Sequence, residues 1–118
     1  MMANIYDTVN KLELELREHE DFKALQVAMA AVLADQDAAA LYEEFRSFQL
    51  DLQMKSQLGQ DMSEDDVEAA KKLQDKMTAN ETIQTLLESE QKVSQLLDDI
   101  NRIVTRPIQE VYQAGQTN

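Results

Sequence analysis

A run of apolar residues near the C-terminus constrains this chain more than any other feature. From about residue 80 to 113, Ile83, Leu86, Val93, Leu97, Ile100, Val104, Ile108 and Val111 recur at three- and four-residue steps, with Glu90 the one carboxylate on the same line. On a helix this spacing forms one narrow apolar seam. About 34 residues of helix reach roughly 50 Å. A compact globule of 118 residues is only about 35 Å across. Such a rod overhangs any compact body built from the rest of the chain, and apolar stripes left in the open mark interfaces. The seam therefore predicts a homo-oligomer, a dimer or higher, or an elongated subunit held by another protein partner.

The rest of the chain reads as helix too. Gly occurs twice and Pro once, aromatics make up 5%, and 43% of residues are hydrophobic, a composition of long helices with enough apolar material for one core. The predicted fold class is all-α: an elongated helical bundle of about five helices in a single domain. The helices are placed near 4–17, 20–34, 36–58, 64–77 and 79–113, with a tail over 114–118. Asn4, Asp35, Ser63 and Thr78 stand where N-caps belong, Ser63 and Thr78 as openers of capping boxes, and Gly59 stands where a helix stops. The inward stripes are Ile5, Val9, Leu12 and Leu16, then Phe22, Leu25, Met29 and Val32. Leu41, Phe45, Phe48 and Leu52 follow, then Val67, Ala70, Leu73 and Met77. Ala28, Ala30, Ala31 and Ala34 offer close approach to a neighbouring helix. Pro107 removes a backbone donor and predicts a kink in the long C-terminal helix. Val104, Ile108 and Val111 stay in phase across it, so the seam continues.

Eleven basic residues against 23 acidic ones leave a net charge of −12. Nucleic acid binding depends on Lys and Arg neutralising phosphates, so direct binding is not expected; nor is docking to anionic lipid. The longest apolar run, Val27 to Ala34, falls far short of the ~20 residues of a membrane span. No basic and apolar leader pattern opens the chain, which reads as cytoplasmic. The absence of Cys removes disulfides, thiolate zinc sites and cysteine-held clusters.

Motifs for chemistry fail on inspection. The acidic cluster Asp61, Glu64, Asp65, Asp66 and Glu68 does not fit a calcium loop, because counting from Asp61 puts Asp66 where Gly is required and Lys72 where Glu is required. A di-iron bundle needs Glu-x-x-His pairs, yet His19 is the only histidine and Leu16 stands three before it. No Ser–His pair and no Gly-rich phosphate loop is present. No catalytic, cofactor-binding or metal residue is nominated. The competing class is a helical-bundle enzyme or small-ligand carrier with a site between helices.

The candidate interface or core seam consists of Phe45, Phe48 and Leu52 together with Ile83, Leu86, Val93, Leu97, Ile100, Val104 and Ile108. Two polar residues interrupt these stripes, Gln49 and Glu90. Buried and hydrogen-bonded, they would set register or oligomeric state at some cost in stability. Arg46, Lys55, Arg102 and Arg106 are the cations available to a partner, with Asp98–Arg102 also spaced as a helical ion pair.

Several of these residues together resemble the YlbF/YmcA-like family of small bacterial helical proteins, and its YheA branch in particular. The likeness rests on Ile5-Tyr6-Asp7, Leu12 and Leu16, Phe22 and Leu25, Asp35, Phe45 with Gln49, Gly59, Glu90-Gln91, and Asp99-Ile100-Asn101 through Pro107-Ile108. It spans nearly the whole chain and depends on the number and order of the matches. The resemblance implies an all-helical, cytoplasmic, oligomerising protein without enzymatic activity. It further implies a regulatory adaptor, since relatives affect competence, sporulation and biofilm formation through a complex that modulates mRNA processing. Some relatives hold iron–sulfur clusters on cysteines, a property this cysteine-free chain does not share.

Overall fold

A computed structural model describes residues 4–116. Five helices follow one another: α1 (Ile5–Glu18), α2 (Glu20–Ala34), α3 (Gln36–Gln57), α4 (Glu64–Thr78) and α5 (Glu81–Gln116). No strand occurs among the described residues. The all-α expectation holds, as does the long terminal helix. α5 runs to Gln116 rather than ending near 113, because nothing before that point breaks it. Thr117 and Asn118, the end of the expected tail, lie outside the described residues.

The caps explain the boundaries. The side chains of Asn4 and Asp35 accept from the backbone N–H of Tyr6 (2.9 Å) and Asp37 (3.2 Å). His19 separates α1 from α2, and its Nδ1 accepts from the Asp21 N–H at 3.1 Å. This caps α2 and requires that nitrogen to carry no proton. Ser63 opens α4 in a full capping box, with Asp66 returning the bond to the Ser63 N–H. Gly59 turns the chain after α3 at φ +73°, a left-handed backbone that side chains disfavour.

One expected cap is corrected. Thr78 is the last residue of α4, and Asn80 caps α5 by accepting from the Ile83 N–H at 3.0 Å. A carboxamide placed three residues ahead of the donor takes the role that the Thr78 reading had assigned.

α5 passes through Pro107 without a break. The Ile103 carbonyl loses its usual partner there, in a stretch, 101–115, whose residues are all exposed.

The core is small. Ala28, Val32, Ala38, Leu41, Leu73, Met77, Ile83 and Leu86 are buried, with Leu25, Met29, Tyr42, Phe45, Phe48 and Leu87 packed around them. α5 packs chiefly on α2, while α1 packs on α2 alone. Of the four alanines expected at a close approach, only Ala28 is buried; Ala30, Ala31 and Ala34 are exposed. Val67, expected inward on α4, is exposed as well.

α4 is pinned by charge. Lys55 Nζ lies 2.9 and 2.7 Å from the two carboxylate oxygens of Asp66, and Lys76 reaches Glu44 at 3.5 Å. The Lys55 contact, then the Ser63 N–H, hold the Asp66 carboxyl below its ordinary pKa. A carboxyl lowered in the folded state stabilises above its unfolded value, near 4, and loses that contribution as pH falls through the folded value. Asp66→Asn keeps an acceptor for Ser63 but not the charge. Its melting temperature should lie below wild type at neutral pH, with the gap closing as the pH falls through the lowered value of the Asp66 carboxyl. A gap of the same size across that range would show that the ion pair is not its cause.

Candidate functional site

The sequence-predicted seam divides in two. Ile83 and Leu86 are 0% and 1% exposed and belong to the core. Val93 and Ile100 are half-buried, and Leu97, Val104, Ile108 and Val111 are exposed. Val104 and Ile108 show 59% and 60% of their surface. Length explains the change. The 15 residues of α2 cover about 22 Å, whereas the 36 residues of α5 extend about 54 Å. Beyond α2 no helix of the chain reaches the seam. Ile103 and Tyr112 are exposed on the same half of α5, adding apolar surface that the three–four spacing had not counted.

The global dimensions agree. The radius of gyration is 19.9 Å and the extents are 56 × 39 × 20 Å, against about 13.5 Å expected for a compact chain of this length. The chain exposes 9677 Å². A compact monomer of 13.5 kDa exposes about 6,500 Å², so roughly 3,200 Å² is in excess.

The other nominated residues fall in different places. Phe45, Phe48 and Leu52 are half-buried on α3, within the chain rather than on the distal seam. Phe45 and Phe48 line a groove of about 260 Å³ with Leu73, Met77, Gln84 and Leu87. No ionisable side chain lines it, so it offers apolar filling and little chemistry. Gln49 and Glu90 are both exposed. Glu90 edges a shallow hollow with Leu25, Val93 and Leu97; within one chain neither polar residue is buried. Any influence of theirs on register falls to contacts between chains.

The cations sort similarly. Lys55 is committed to Asp66, and Arg46 approaches Glu43 at 3.7 Å. Arg102 bonds Asp99 at 2.9 Å rather than the expected Asp98, since the three-residue step also faces it. Arg106 pairs with no carboxylate among the described residues. No group of three or more metal-ligating side chains occurs among the described residues, and no single helix is long and apolar enough to cross a membrane.

One apolar surface was legible only as a pattern. Ile5, Val9, Leu12 and Leu16 form a helical stripe, but no residue of α1 is buried. Ile5 and Val9 face open solvent, whereas Leu12 and Leu16 are half-buried. The stripe was readable from spacing; that the chain leaves its Ile5 and Val9 end uncovered was not.

Comparison with known proteins agrees with this architecture. Residues 5–109 match the family described as "Control of competence regulator ComK, YlbF/YmcA". UPF0342 proteins of Staphylococcus aureus strains JH9 and Newman are 38% identical over 112 residues, spanning 95% of this chain and 98% of theirs. A DUF964 protein from Bacillus stearothermophilus superposes with a TM-score of 0.83 at 27% identity, over 92% of this chain and 95% of that one. The yheA protein from Bacillus subtilis gives 0.68 at 31% identity, over 93% and 100%.

Proposed function

The chain belongs to the YlbF/YmcA competence-regulator family, and from that premise we propose that it is a non-enzymatic interaction protein that oligomerises through its long C-terminal helix and serves as a regulatory adaptor. The observation that carries this reading is the uncovered distal half of α5. Leu97, Val104, Ile108 and Val111 lie in the open, and the excess surface of about 3,200 Å² exceeds the ~800 Å² per partner of a standard protein interface. The family description, control of a competence regulator, supports a regulatory role. The groove beside Phe45 and Phe48, without an ionisable group, gives little support to an enzyme.

Light scattering on the purified chain across concentration tests the reading. At micromolar concentration the expected mass is about 27 kDa or a higher multiple of 13.5 kDa. A folded chain that stays at 13.5 kDa throughout would remove the oligomer from it.

A further inference from the structure

We propose that distal α5 is covered by the same stretch of α5 from a second copy of this chain, running antiparallel about a two-fold axis at Val104. This pairing rests on distal α5 being an association surface and adds the occupant and its direction.

The seam reads the same in both directions. Leu97 and Ile100 stand seven and four positions before Val104, and Ile108 and Val111 stand four and seven after it. An antiparallel copy centred on Val104 sets Leu97 level with the partner's Val111, Ile100 level with the partner's Ile108, and Val104 level with itself. Every apolar residue of the row thus arrives at an apolar residue, as two packed seams require. Four of the five are exposed within the chain and Ile100 is half-buried.

The charges of this stretch stay out of the contact. Over residues 91–116 they are Lys92, Asp98, Asp99, Arg102, Arg106 and Glu110. At 3.6 residues per turn all six lie about 120° or more around the helix from the Val104 line. The seam therefore offers a charged partner nothing to pair with and a second copy nothing to repel. Length points the same way. Leu97 to Val111 extends about 21 Å, whereas the exposed row Leu50, Met54 and Leu58 on α3 extends about 12 Å, and Ile5 to Val9 on α1 about 6 Å.

The nearest rival is α5 packed parallel on α5 of the second copy. That packing sets Glu90 against the partner's Glu90 and aligns the two helix dipoles. It also brings both cores together at the end of the seam that α2 already occupies. Antiparallel pairing opposes the dipoles, leaves Glu90 outside the paired stretch and puts the cores at opposite ends. It closes with two-fold symmetry, the same patch serving both copies.

The chain has no Cys, which permits site-specific crosslinking in the full-length protein. Under gentle oxidation Val104→Cys should link to itself, and Leu97→Cys should link to differently tagged Val111→Cys. Neither of the last two should link to itself, because like positions there stand about 21 Å apart, beyond the roughly 7 Å that a disulfide spans. Preferential self-linking of Leu97→Cys or Val111→Cys, or no mixed link in a protein that associates, overturns the antiparallel pairing. A charge swap tests the axis separately. Val104→Glu and Val104→Lys should each raise the Kd of self-association at least about tenfold, since each copy then meets its own charge, and an equimolar mixture should recover most of that loss. Undiminished association of either variant, or a mixture no tighter than either alone, overturns the Val104 axis while leaving association through α5 standing. A wild-type chain that is single at every concentration overturns the underlying association as well.

Discussion

Leu86→Ala is expected to lower the free energy of unfolding by about 3 kcal/mol, within the usual range for a buried leucine. Leu86 is 1% exposed and sits where α5 meets the core, beside the fully buried Ile83 and Val32. Three carbons leave a void, and the neighbouring helices can close it only partly. Small domains are stable by about 5–15 kcal/mol in total, and among the described residues this core holds only eight buried apolar side chains. One truncation therefore removes a large share of the whole. Val27→Ala on α2, with 71% of the residue already exposed, is the control and should change stability by less than about 0.5 kcal/mol. Urea unfolding at one fixed protein concentration measures both, because association contributes to apparent stability. If Leu86→Ala matched the control, α5 could not be packing through this face.

Val104→Glu combined with Ile108→Glu is expected to raise the Kd of self-association at least about 100-fold, because each carboxylate must be desolvated or left out of the contact. Both residues are exposed within the chain, so no core contact is lost. Glu is also a better helix former than Val or Ile, so α5 itself should persist. Circular dichroism should match wild type while light scattering reports single chains at concentrations where wild type is associated. Undiminished association would move the interface away from the distal seam.

Much of this molecule can be read from residue order. Sparse Gly and Pro, apolar residues at three- and four-residue steps, and polar caps at Asn4, Asp35 and Ser63 settle five helices to within a few residues, because each signal acts over one or two turns. Thr78 misled because it lies one turn away from a better cap, Asn80, and both fit the local pattern. Asp98 misled for a related reason: both it and Asp99 stand within helical reach of Arg102, and only side-chain geometry chose between them.

What spacing alone could not settle is which part of each apolar stripe is used. Ile83 and Val104 occupy equivalent places on one seam, yet one is buried and the other faces solvent. The periodicity determined that α5 is a long amphipathic helix with one sticky edge. Only the tertiary arrangement decided where that edge stops being core, since this depends on how far the short α2 extends along α5. The same holds for α1, whose stripe is plain in the sequence. Periodicity records which way side chains point along one helix, whereas burial depends on what other helices reach, a property of the whole fold.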